Sequence, residues 1–513
     1  MSLQARIKNI VEHISTGMHE REDIISISLL GALSNQNTFL FGSPGTAKSL
    51  ISRRIACAFK EPAYFEYLMN RFSTPEELFG PVSIKALKED KYTRKTSNYL
   101  PKAEFAFLDE IWKSSPAILN SLLTMINEKT FKNGDVIENT PLKALIVASN
   151  ETPEGNQGLD ALYDRFIIRL MVAPIARKDN FENLINGKPT QANIKLPSKI
   201  AVSQNEWNSW RKKIDTVCLS KETLLIIHAI RKSLSEQFEE LGVYVSDRRW
   251  QKAAQLLKAS AFFNDRKETN HSDALLLSHC IWTTADNHEP VIKIVHDAIK
   301  AVGFTSDISL EELDKEKESL DKEIHKELFF RNDVYKTEKI GNKKYFKAIL
   351  EFKHKHHRTI NTEKEIVFLP YSNLKTTDTF FPLDNNLNEL SHFDCTFNGQ
   401  GSCKIENLKT YNYAYEDTVT FTPTILFHKG DKKDDINTRL IDSLNGSVIE
   451  IRKKLMVLLK NCQDKNNEYK AQLASPFINE ELLKIPLVAI ENQLKNIELS
   501  IKDCQRLEVL CSV

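Results

Sequence analysis

The chain has 513 residues, of which 41% are hydrophobic, and this predicts two to four globular domains and excludes a disordered tail or a fibre. Its 70 Lys and Arg residues nearly balance 69 Asp and Glu residues, so the net charge of +1 gives no overall electrostatic reason to expect nucleic acid as the main partner. The sequence shows no secretory signal, no apolar run long enough for a transmembrane segment, and no CxxC pair among its eight cysteines. We therefore expect a cytoplasmic protein without a disulfide framework or a zinc site.

Two amphipathic helices lead into a buried strand, a glycine-containing loop and a third helix at residues 37–56. The loop reads Gly-Ser-Pro-Gly-Thr-Ala-Lys-Ser at 42–49 and is close to a P-loop, with Ala47 at the position of the second glycine. In a P-loop the backbone N–H groups and the lysine bind phosphates, and the hydroxyl binds Mg²⁺. An ordinary glycine-proline turn is the alternative. The candidate ATP-binding residues are Gly42, Ser43, Pro44, Gly45, Thr46, Ala47, Lys48, Ser49 and Leu50, and Ser49 is also a candidate metal ligand.

Two further apolar runs end in polar side chains. Residues 105–108 run into Asp109 and Glu110, and residues 142–149 run into Asn150. Strands that alternate with helices predict an α/β unit with a mainly parallel sheet, whose ligands bind at the carboxyl ends of the strands. There, Asp109 is predicted to hold Mg²⁺, Glu110 to deprotonate the attacking water, and Asn150 to position it. A solvated acidic pair and a turn-forming asparagine are the alternatives.

Hydrolysis of ATP leaves charge on the phosphoryl oxygens, which a mobile arginine can stabilise. Arg165 ends a short helix before a fourth apolar strand and is the first candidate. Arg248 is the second, in the first turn of a helix that Ser246 or Asp247 can cap. Each arginine has an ordinary salt bridge as its alternative reading.

The other patterns divide the chain. A helix is predicted at 115–128, a hairpin at the Asn133-Gly134 pair, a loop at 153–158, and a boundary or flexible connection at 176–210. Residues 353–358 contain three histidines, a pattern that favours a solvated strand face over a metal site. The predicted domains are an α/β nucleotide-binding subdomain at 1–195, an all-α lid at 196–305, a discontinuous helical domain at 306–331 and 433–513, and a β-rich insertion at 332–432.

Four of these motifs together resemble AAA+ ATPases. Residues 42–49, 107–111, 148–150 and 164–166 are similar to the Walker A, Walker B, sensor 1 and arginine-finger motifs of that class. The Pro-Gly-x-Ala-Lys-Ser form of the loop and the Asn-Gly hairpin resemble the MoxR branch. Two stretches, Tyr-Leu-Met-Asn-Arg-Phe-Ser-Thr-Pro-Glu-Glu-Leu-Phe-Gly-Pro at 67–81 and Tyr-Val-Ser-Asp-Arg-Arg-Trp at 244–250, resemble the regulatory ATPase variant A (RavA) subfamily. The motif resemblance covers residues 1–300. Beyond residue 300 the resemblance rests on the order of a helix, a β insertion and further helices.

The resemblance implies a hexameric ring that binds ATP and Mg²⁺ at subunit interfaces. It implies that Arg165 acts in trans on the neighbour's nucleotide and that Arg248 acts in cis as sensor 2, with Arg249 as the alternative. ATP turnover would remodel or activate partner proteins in a chaperone-like manner, together with a von Willebrand factor A (vWA) domain protein. In the RavA subfamily the β insertion docks onto an inducible lysine decarboxylase, although the insertion here carries no motif that matches residue by residue.

Two other functions remain open from the sequence. One is a P-loop ring that remodels nucleic acid, which the near-zero net charge and the lack of a basic stripe with aromatic residues disfavour. The other is a nucleotide-dependent scaffold with little hydrolysis, which the acidic pair at 109–110 disfavours.

Overall fold

The computed structural model describes residues 2–153, 159–306, 309–356, 359–399, 401–408 and 418–512. The chain divides into two compact units, one formed by Met1–Ile308 and Val457–Leu499 and the other by Ser309–Met456 and Ser500–Val513. This division groups 457–499 with the first unit, whereas the sequence predicts one discontinuous helical domain at 306–331 and 433–513. The four predicted domains with their boundaries stay a prediction.

The first unit begins with an α/β part built around a parallel sheet. The sheet has the order β2-β3-β6-β1-β7, and all its neighbouring strands run in parallel, as the sequence predicts. Central strands of such a sheet are covered on both faces, which explains their continuous apolar runs. The elements are α1 (Leu3–Ser15), α2 (Glu22–Leu33), β1 (Asn37–Phe41), α3 (Lys48–Ala56), β2 (Tyr64–Leu68), α4 (Pro75–Phe79), α5 (Ile84–Leu87), β3 (Phe105–Asp109), α6 (Pro116–Glu128), β4 (Thr130–Asn133), β5 (Val136–Asn139), β6 (Ala144–Ser149), α7 (Asp160–Tyr163), β7 (Phe166–Met171) and α8 (Lys178–Asn186), with 3₁₀ turns at Leu100–Lys102 and Ile111–Lys113.

Most elements of this part agree with the sequence prediction. The helix at 115–128 and the hairpin of β4 and β5 are confirmed, and Gly134 in the hairpin turn has a φ of +65°. Strand β2 lies at the edge of the sheet with mostly half-buried residues, so it lacks the apolar run that marks the other strands. The connection predicted at 176–210 instead contains α8 and the first turns of α9. Helix α8 has no buried residue, and its pattern is therefore weak.

The all-α part of the first unit consists of helices, as predicted. These are α9 (Gln204–Ile214), α10 (Lys221–Glu236), α11 (Phe238–Leu241), α12 (Asp247–Phe263), α13 (His271–Ala274) and α14 (Ala285–Ala301), with a 3₁₀ helix at Leu275–His279. Three of them begin at a serine whose side chain accepts a backbone N–H of the first turn, namely Ser203, Ser220 and Ser246. Each such cap contributes about 1 kcal/mol to helix stability.

The second unit contains the β-rich segment. Its elements, together with the two long helices that contribute residues to both units, are α15 (Leu310–Leu328), β8 (Val334–Tyr335), β9 (Glu338–Ile340), β10 (Lys343–His356), β11 (Thr359–Pro370), β12 (Phe393–Phe397), β13 (Cys403–Asn407), β14 (Thr418–Phe421), β15 (Ile425–Phe427), α16 (Thr438–Gln472) and α17 (Lys484–Cys511), with a 3₁₀ helix at Tyr371–Lys375. Strands β9, β10 and β11 form one sheet and β12, β13 and β14 another. A hydrophobic core that includes Phe346, Leu350, Phe393, Phe397 and Ile405 joins them, so the segment is a folded module.

Two predictions fall on parts that are not described. The loop at 153–158 lies outside the described residues except for Pro153, and so do His357 and Arg358 of the histidine-containing stretch. Among the helices of the described ranges, none has the length and apolar character that crossing a bilayer requires.

Candidate active site

The predicted phosphate loop connects β1 to α3 at the carboxyl edge of the sheet. The Lys48 Nζ donates to the carbonyl oxygens of Gly42 and Ser43 at 2.8 and 2.9 Å, so the loop folds around its own lysine. Burial lowers the pKa of Lys48, and the charges of Asp109 and Glu110 oppose this shift. The lysine and both carboxylates are therefore close enough to interact, as their positions at the strand ends predict.

The backbone of the loop explains its residue types. A Cβ on Gly42 would lie 2.3 Å from the carbonyl oxygen of Val172, so no larger residue fits there. Gly45 has a φ of +82°, in the left-handed region that glycine adopts without strain. Ala47 also lies in that region, with φ +69° and ψ +26°. The loop thus keeps the conformation for which a second glycine is suited, at a steric cost for alanine of about 1–2 kcal/mol.

Two carboxylates end the neighbouring strand. Asp109 is the last residue of β3, and burial raises the pKa of its carboxyl. The backbone N–H of Glu110, which donates to Asp109 Oδ1 at 3.0 Å, and the charge of Lys48 oppose this shift, whereas the charges of Glu110 and Glu66 add to it. Glu110 follows in a left-handed conformation with a φ of +53°, and its carboxylate pairs with Lys113 Nζ at 3.2 Å. Such strained non-glycine residues are concentrated at functional sites.

These oxygen donors fit a magnesium ion. Mg²⁺ prefers carboxylate and hydroxyl oxygens, and carboxylates whose charges repel one another are stabilised by a divalent cation. Asp109 supplies such a carboxylate, and Ser49, the second residue of α3, follows Lys48 directly and supplies a hydroxyl.

Asn150 lies at the same edge of the sheet. It directly follows β6, it is exposed, and the backbone N–H of Gly42 donates to the carbonyl oxygen of Ser149 at 3.1 Å. This hydrogen bond fixes the end of β6 against the start of the phosphate loop. The structure thus brings together the loop, Asp109, Glu110 and Asn150, which span 42–150 in the sequence.

Arg165 lies at the opposite edge. It directly precedes β7, and Phe166, the first residue of that strand, is in register with Asn37, the first residue of β1. Its Nε donates to Asn127 Oδ1 at 2.7 Å, and a second N–H donates to the carbonyl oxygen of Ala161. The five residues of β1, about 16 Å at 3.3 Å per residue, separate this edge from the phosphate loop of the same chain.

Arg248, for which the resemblance implies a role in cis as sensor 2, lies beside Arg165. Both arginines line one cavity with residues 35–37, at the start of β1, and the Arg248 charge helps to lower the pKa of Arg165. The position follows from Ser246, which caps α12 and donates to Asp164 at 2.8 Å. Helix α12 is therefore anchored by its first turn to the residue before Arg165.

Arg249, the alternative to Arg248, is a buried structural residue. Its Nε and Nη2 donate to the carbonyl oxygens of Cys280 and Trp282 at 2.5 and 2.8 Å. Arg169 on β7 donates to the same Trp282 oxygen at 2.6 Å. These two arginines join the helical part of the first unit to the sheet.

A cavity of about 360 Å³ beside the phosphate loop was not predicted from the sequence. One wall consists of loop residues, and the other is largely apolar, with Met18, Ile175, Phe181 and Leu184. Its volume and largely apolar lining suit an aromatic base next to bound phosphates. The sequence indicates this cavity only weakly, because Met18 lies in a polar stretch and α8 has no buried residue.

Two charged residues that the sequence did not single out hold these walls in place. The buried Arg21 donates to the carbonyl oxygens of Thr46 and Ala173 at 3.4 and 2.6 Å, which braces the phosphate loop. Glu20 accepts from the backbone N–H groups of Ala176 and Arg177, both at 2.9 Å, at the start of α8. These hydrogen bonds lower the pKa of Glu20 to about 2.

Comparisons with known proteins agree with this picture. The family model described as the MoxR domain in the MoxR-vWA-beta-propeller ternary systems matches residues 5–208, and the AAA lid domain model matches residues 222–295. The uncharacterized protein MJ0079 from Methanocaldococcus jannaschii is 39% identical over 293 residues, which cover 57% of this chain and 74% of that protein. MJ0812 from the same organism is 39% identical over 282 residues, which cover 55% and 72%.

A solved structure from Cytophaga hutchinsonii matches with a TM-score of 0.47 and 18% identity, covering 59% of this chain and 96% of that one. The family models span both the α/β part with its phosphate loop and the helices that follow it, and the identity to the archaeal relatives extends over most of their length. The chain belongs to the MoxR family of AAA+ ATPases.

Proposed function

We propose that this chain assembles into a ring that hydrolyses ATP, with each active site shared between two copies. The observation that carries this proposal is the separation of the functional groups over two edges of one sheet. Lys48 and Asp109 lie at the carboxyl edge, whereas Arg165 lies at the amino edge, about 16 Å away along β1. An arginine side chain is shorter than this distance, so Arg165 can reach only the phosphates that a second copy holds.

The residues of the carboxyl edge have distinct tasks in this proposal. The backbone N–H groups at the start of α3 and Lys48 bind the phosphates, and the apolar cavity takes the adenine. Ser49 and Asp109 would hold Mg²⁺, which neutralises phosphate charge when it is bound. Glu110 leaves Lys113 and accepts the proton of a water that Asn150 orients. Because Arg248 lies beside Arg165, we propose that both arginines act on the nucleotide of the neighbouring copy.

The family also suggests the assembly and the partners. A head-to-tail contact between identical copies gives a ring when its rotation closes, and we propose a closed ring of six copies. The matched family model is named for MoxR-vWA-beta-propeller systems, and we propose a vWA domain protein as the partner that ATP turnover remodels or activates in a chaperone-like manner. Membership of the RavA subfamily, and docking of a lysine decarboxylase on the β-rich module, are the most specific forms of this proposal.

Mixing two inactive variants tests the shared site. Lys48→Ala removes the phosphate contacts and Arg165→Ala removes the trans cation, so neither variant is expected to hydrolyse ATP alone. In a mixture, some interfaces join an intact loop to an intact Arg165, and part of the activity should return. Arg231→Ala, an exposed change in α10, serves as the control and should hydrolyse ATP like the wild type.

The mixture should show an optimum near equal amounts of the two variants, because pure samples contain no intact interface. If no mixture hydrolyses ATP although both variants assemble with the wild type, the shared site is refuted. A wild type without ATPase activity would refute the whole proposal.

A further inference from the structure

A second cavity, of about 500 Å³, lies at the amino edge of the sheet. It is bounded by residues 35–37 at the start of β1, by the end of α6, and by side chains of α9 and α12. No carboxylate is found among the residues described as its lining. Its five cationic side chains are Lys129, Arg165, Arg211, Arg248 and Lys252.

Lys129 is the most unusual of the five. Its Nζ is buried, and no described residue accepts a hydrogen bond from it. Burial lowers the pKa of Lys129 to about 8, and the charges of Arg211 and Lys252 add to this effect. A buried ammonium group without a partner is costly to the fold, which makes a purely structural role for Lys129 a poor explanation.

The other cations also repel one another. Burial and Arg211 lower the pKa of Lys252, and burial and Arg248 lower that of Arg165. Two carboxylates lie nearby. Asp164 partly opposes the lowered pKa of Arg165, and Asp215 partly opposes that of Lys252. Asp164 accepts a hydrogen bond from Ser246, and Asp215 accepts one from Gln255 Nε2 at 3.2 Å. The positive charge in the cavity therefore exceeds its local compensation.

We propose that this cavity binds a chain of phosphate groups, with Lys129 as a contact at its inner wall. Several anionic groups at fixed spacing would satisfy several cations at once, and the three arginines can each bind phosphate oxygens with two N–H groups. The flexible stem of Lys129 lets its ammonium group turn toward such a ligand. Lys129, Arg211 and Lys252 have no role in the phosphate loop, which lies at the opposite edge of the sheet. These three residues therefore distinguish the cavity from that loop.

Two sources can supply this chemistry. One is the triphosphate of ATP held by a neighbouring copy, and this source rests on the proposed ring. The other is a free polyphosphate ion that binds independently of the ring. Both sources share the same contacts in the cavity and differ only in which molecule carries the phosphates.

Calorimetric titration with inorganic tripolyphosphate tests the site itself. The full chain with Lys48→Ala is used, because the disabled phosphate loop then leaves the cavity as the binding site. Adding Lys129→Met should weaken binding at least tenfold, and so should Arg211→Gln, an exposed change that leaves the core intact. Adding Lys132→Met, an exposed lysine on β4, should have no effect. Unchanged affinity in both cavity variants would overturn the proposal.

ATPase assays on mixtures identify the source. If the neighbour's nucleotide occupies the cavity, Lys129→Met with an intact phosphate loop should be slow alone and should regain activity when mixed with Lys48→Ala. If tripolyphosphate binding depends on Lys129 but no mixture regains activity, the ligand is a free polyphosphate. A wild type that binds tripolyphosphate but never hydrolyses ATP would refute the ring ATPase and leave the anion site standing.

Discussion

Ala47 is held in a backbone conformation that favours glycine, between the phosphate loop and α3. Replacing it by glycine removes the steric cost of a Cβ at φ +69° but increases the entropy of the unfolded chain. We expect Ala47→Gly to raise the free energy of unfolding by up to about 1 kcal/mol. Chemical denaturation measures this change.

A matched substitution in a helix should have the opposite sign. Ala229 lies inside α10, where glycine costs about 1 kcal/mol relative to alanine. Ala229→Gly should therefore destabilise the protein. Destabilisation by both substitutions would contradict the strain assigned to Ala47.

Glu110 is the proposed base, and Glu110→Gln keeps its shape while removing its ability to accept a proton. We expect the ATP hydrolysis rate to fall by roughly 10²–10⁴-fold, with ATP affinity close to that of the wild type. The time course of phosphate release measures the hydrolysis rate, and equilibrium nucleotide binding measures the affinity. Glu239→Gln, an exposed change on α11, is the control, and equal hydrolysis rates in Glu110→Gln and this control would exclude Glu110 as the base.

Replacing Lys129 by methionine is expected to stabilise the fold, although it weakens the binding of tripolyphosphate. Its pKa of about 8 in the folded chain lies below its ordinary value of 10.5 because of burial, Arg211 and Lys252. Between these values the unfolded chain binds the extra proton, so wild-type stability gains from this group as pH rises. At pH 7 the charged lysine is present in the folded state and destabilises it.

Lys129→Met should therefore raise the free energy of unfolding at pH 7 by about 2 kcal/mol while it weakens tripolyphosphate binding. The gain over wild type should shrink as pH rises above about 8 toward 10.5. Denaturation midpoints across this pH range measure it, with Lys132→Met as the control. A destabilised Lys129→Met at pH 7 would show that Lys129 supports the fold.

At the scale of elements, α8 forms one wall of the apolar cavity although it buries no residue of its own. Its position depends on Glu20, whose carboxylate accepts the N–H groups at its start. Anions at a helix N-terminus are stabilised by those free N–H groups and by the helix dipole. The side chains of Phe181 and Leu184 reach the cavity through this attachment.

Glu20→Gln should loosen α8 and weaken ATP binding several-fold, because an amide accepts these hydrogen bonds less strongly than a carboxylate. Hydrogen exchange of the α8 amides and nucleotide binding give the two readouts. Glu182→Gln on α8, which removes only the ion pair with Lys178, should change neither. Since the pKa of Glu20 falls from 4.5 to about 2, its stabilising effect should persist down to pH 4.5 and disappear toward pH 2.

The elements that the sequence revealed are those with regular apolar patterns or distinctive turns. Strands β1, β3 and β6 and the hairpin at Gly134 have such signals. Strand β2 and helix α8 lack them, because the side chains of β2 are mostly half-buried and α8 has no buried residue. Their formation depends on packing against other elements.

At the scale of the whole molecule, the β-rich module enters and leaves its unit at one place. The N–H of Phe330 donates to the carbonyl oxygen of Asp431 at 3.0 Å, and the N–H of Gly430 donates to that of Phe330 at 2.9 Å. The module also has a hydrophobic core of its own. Its two connections are thus adjacent, which is the arrangement that tolerates excision or insertion.

Replacing residues 332–429 by a short glycine-serine linker should leave ATP hydrolysis within about twofold of the wild type, because a flexible linker of a few residues spans adjacent ends. Binding of the partner that the module recognises should be lost. ATPase assays and co-purification with a vWA domain protein or a lysine decarboxylase test both statements. Loss of ATPase activity in a folded deletion variant would show that the module takes part in the ATPase cycle.

Local patterns in the sequence were sufficient for the strand, loop and helix at 37–56, for the acidic strand end at 109–110 and for the parallel α/β class. The reason is that a P-loop and an apolar strand are short, continuous segments whose residue types are set by nearby backbone. Long-range packing decided the rest. The parallel sheet separates Arg165 from its own loop, and α12 carries Arg248 to the same edge. The cations at 129, 165, 211, 248 and 252 line one cavity because folding brings them together, and no pattern of neighbouring residues indicates it.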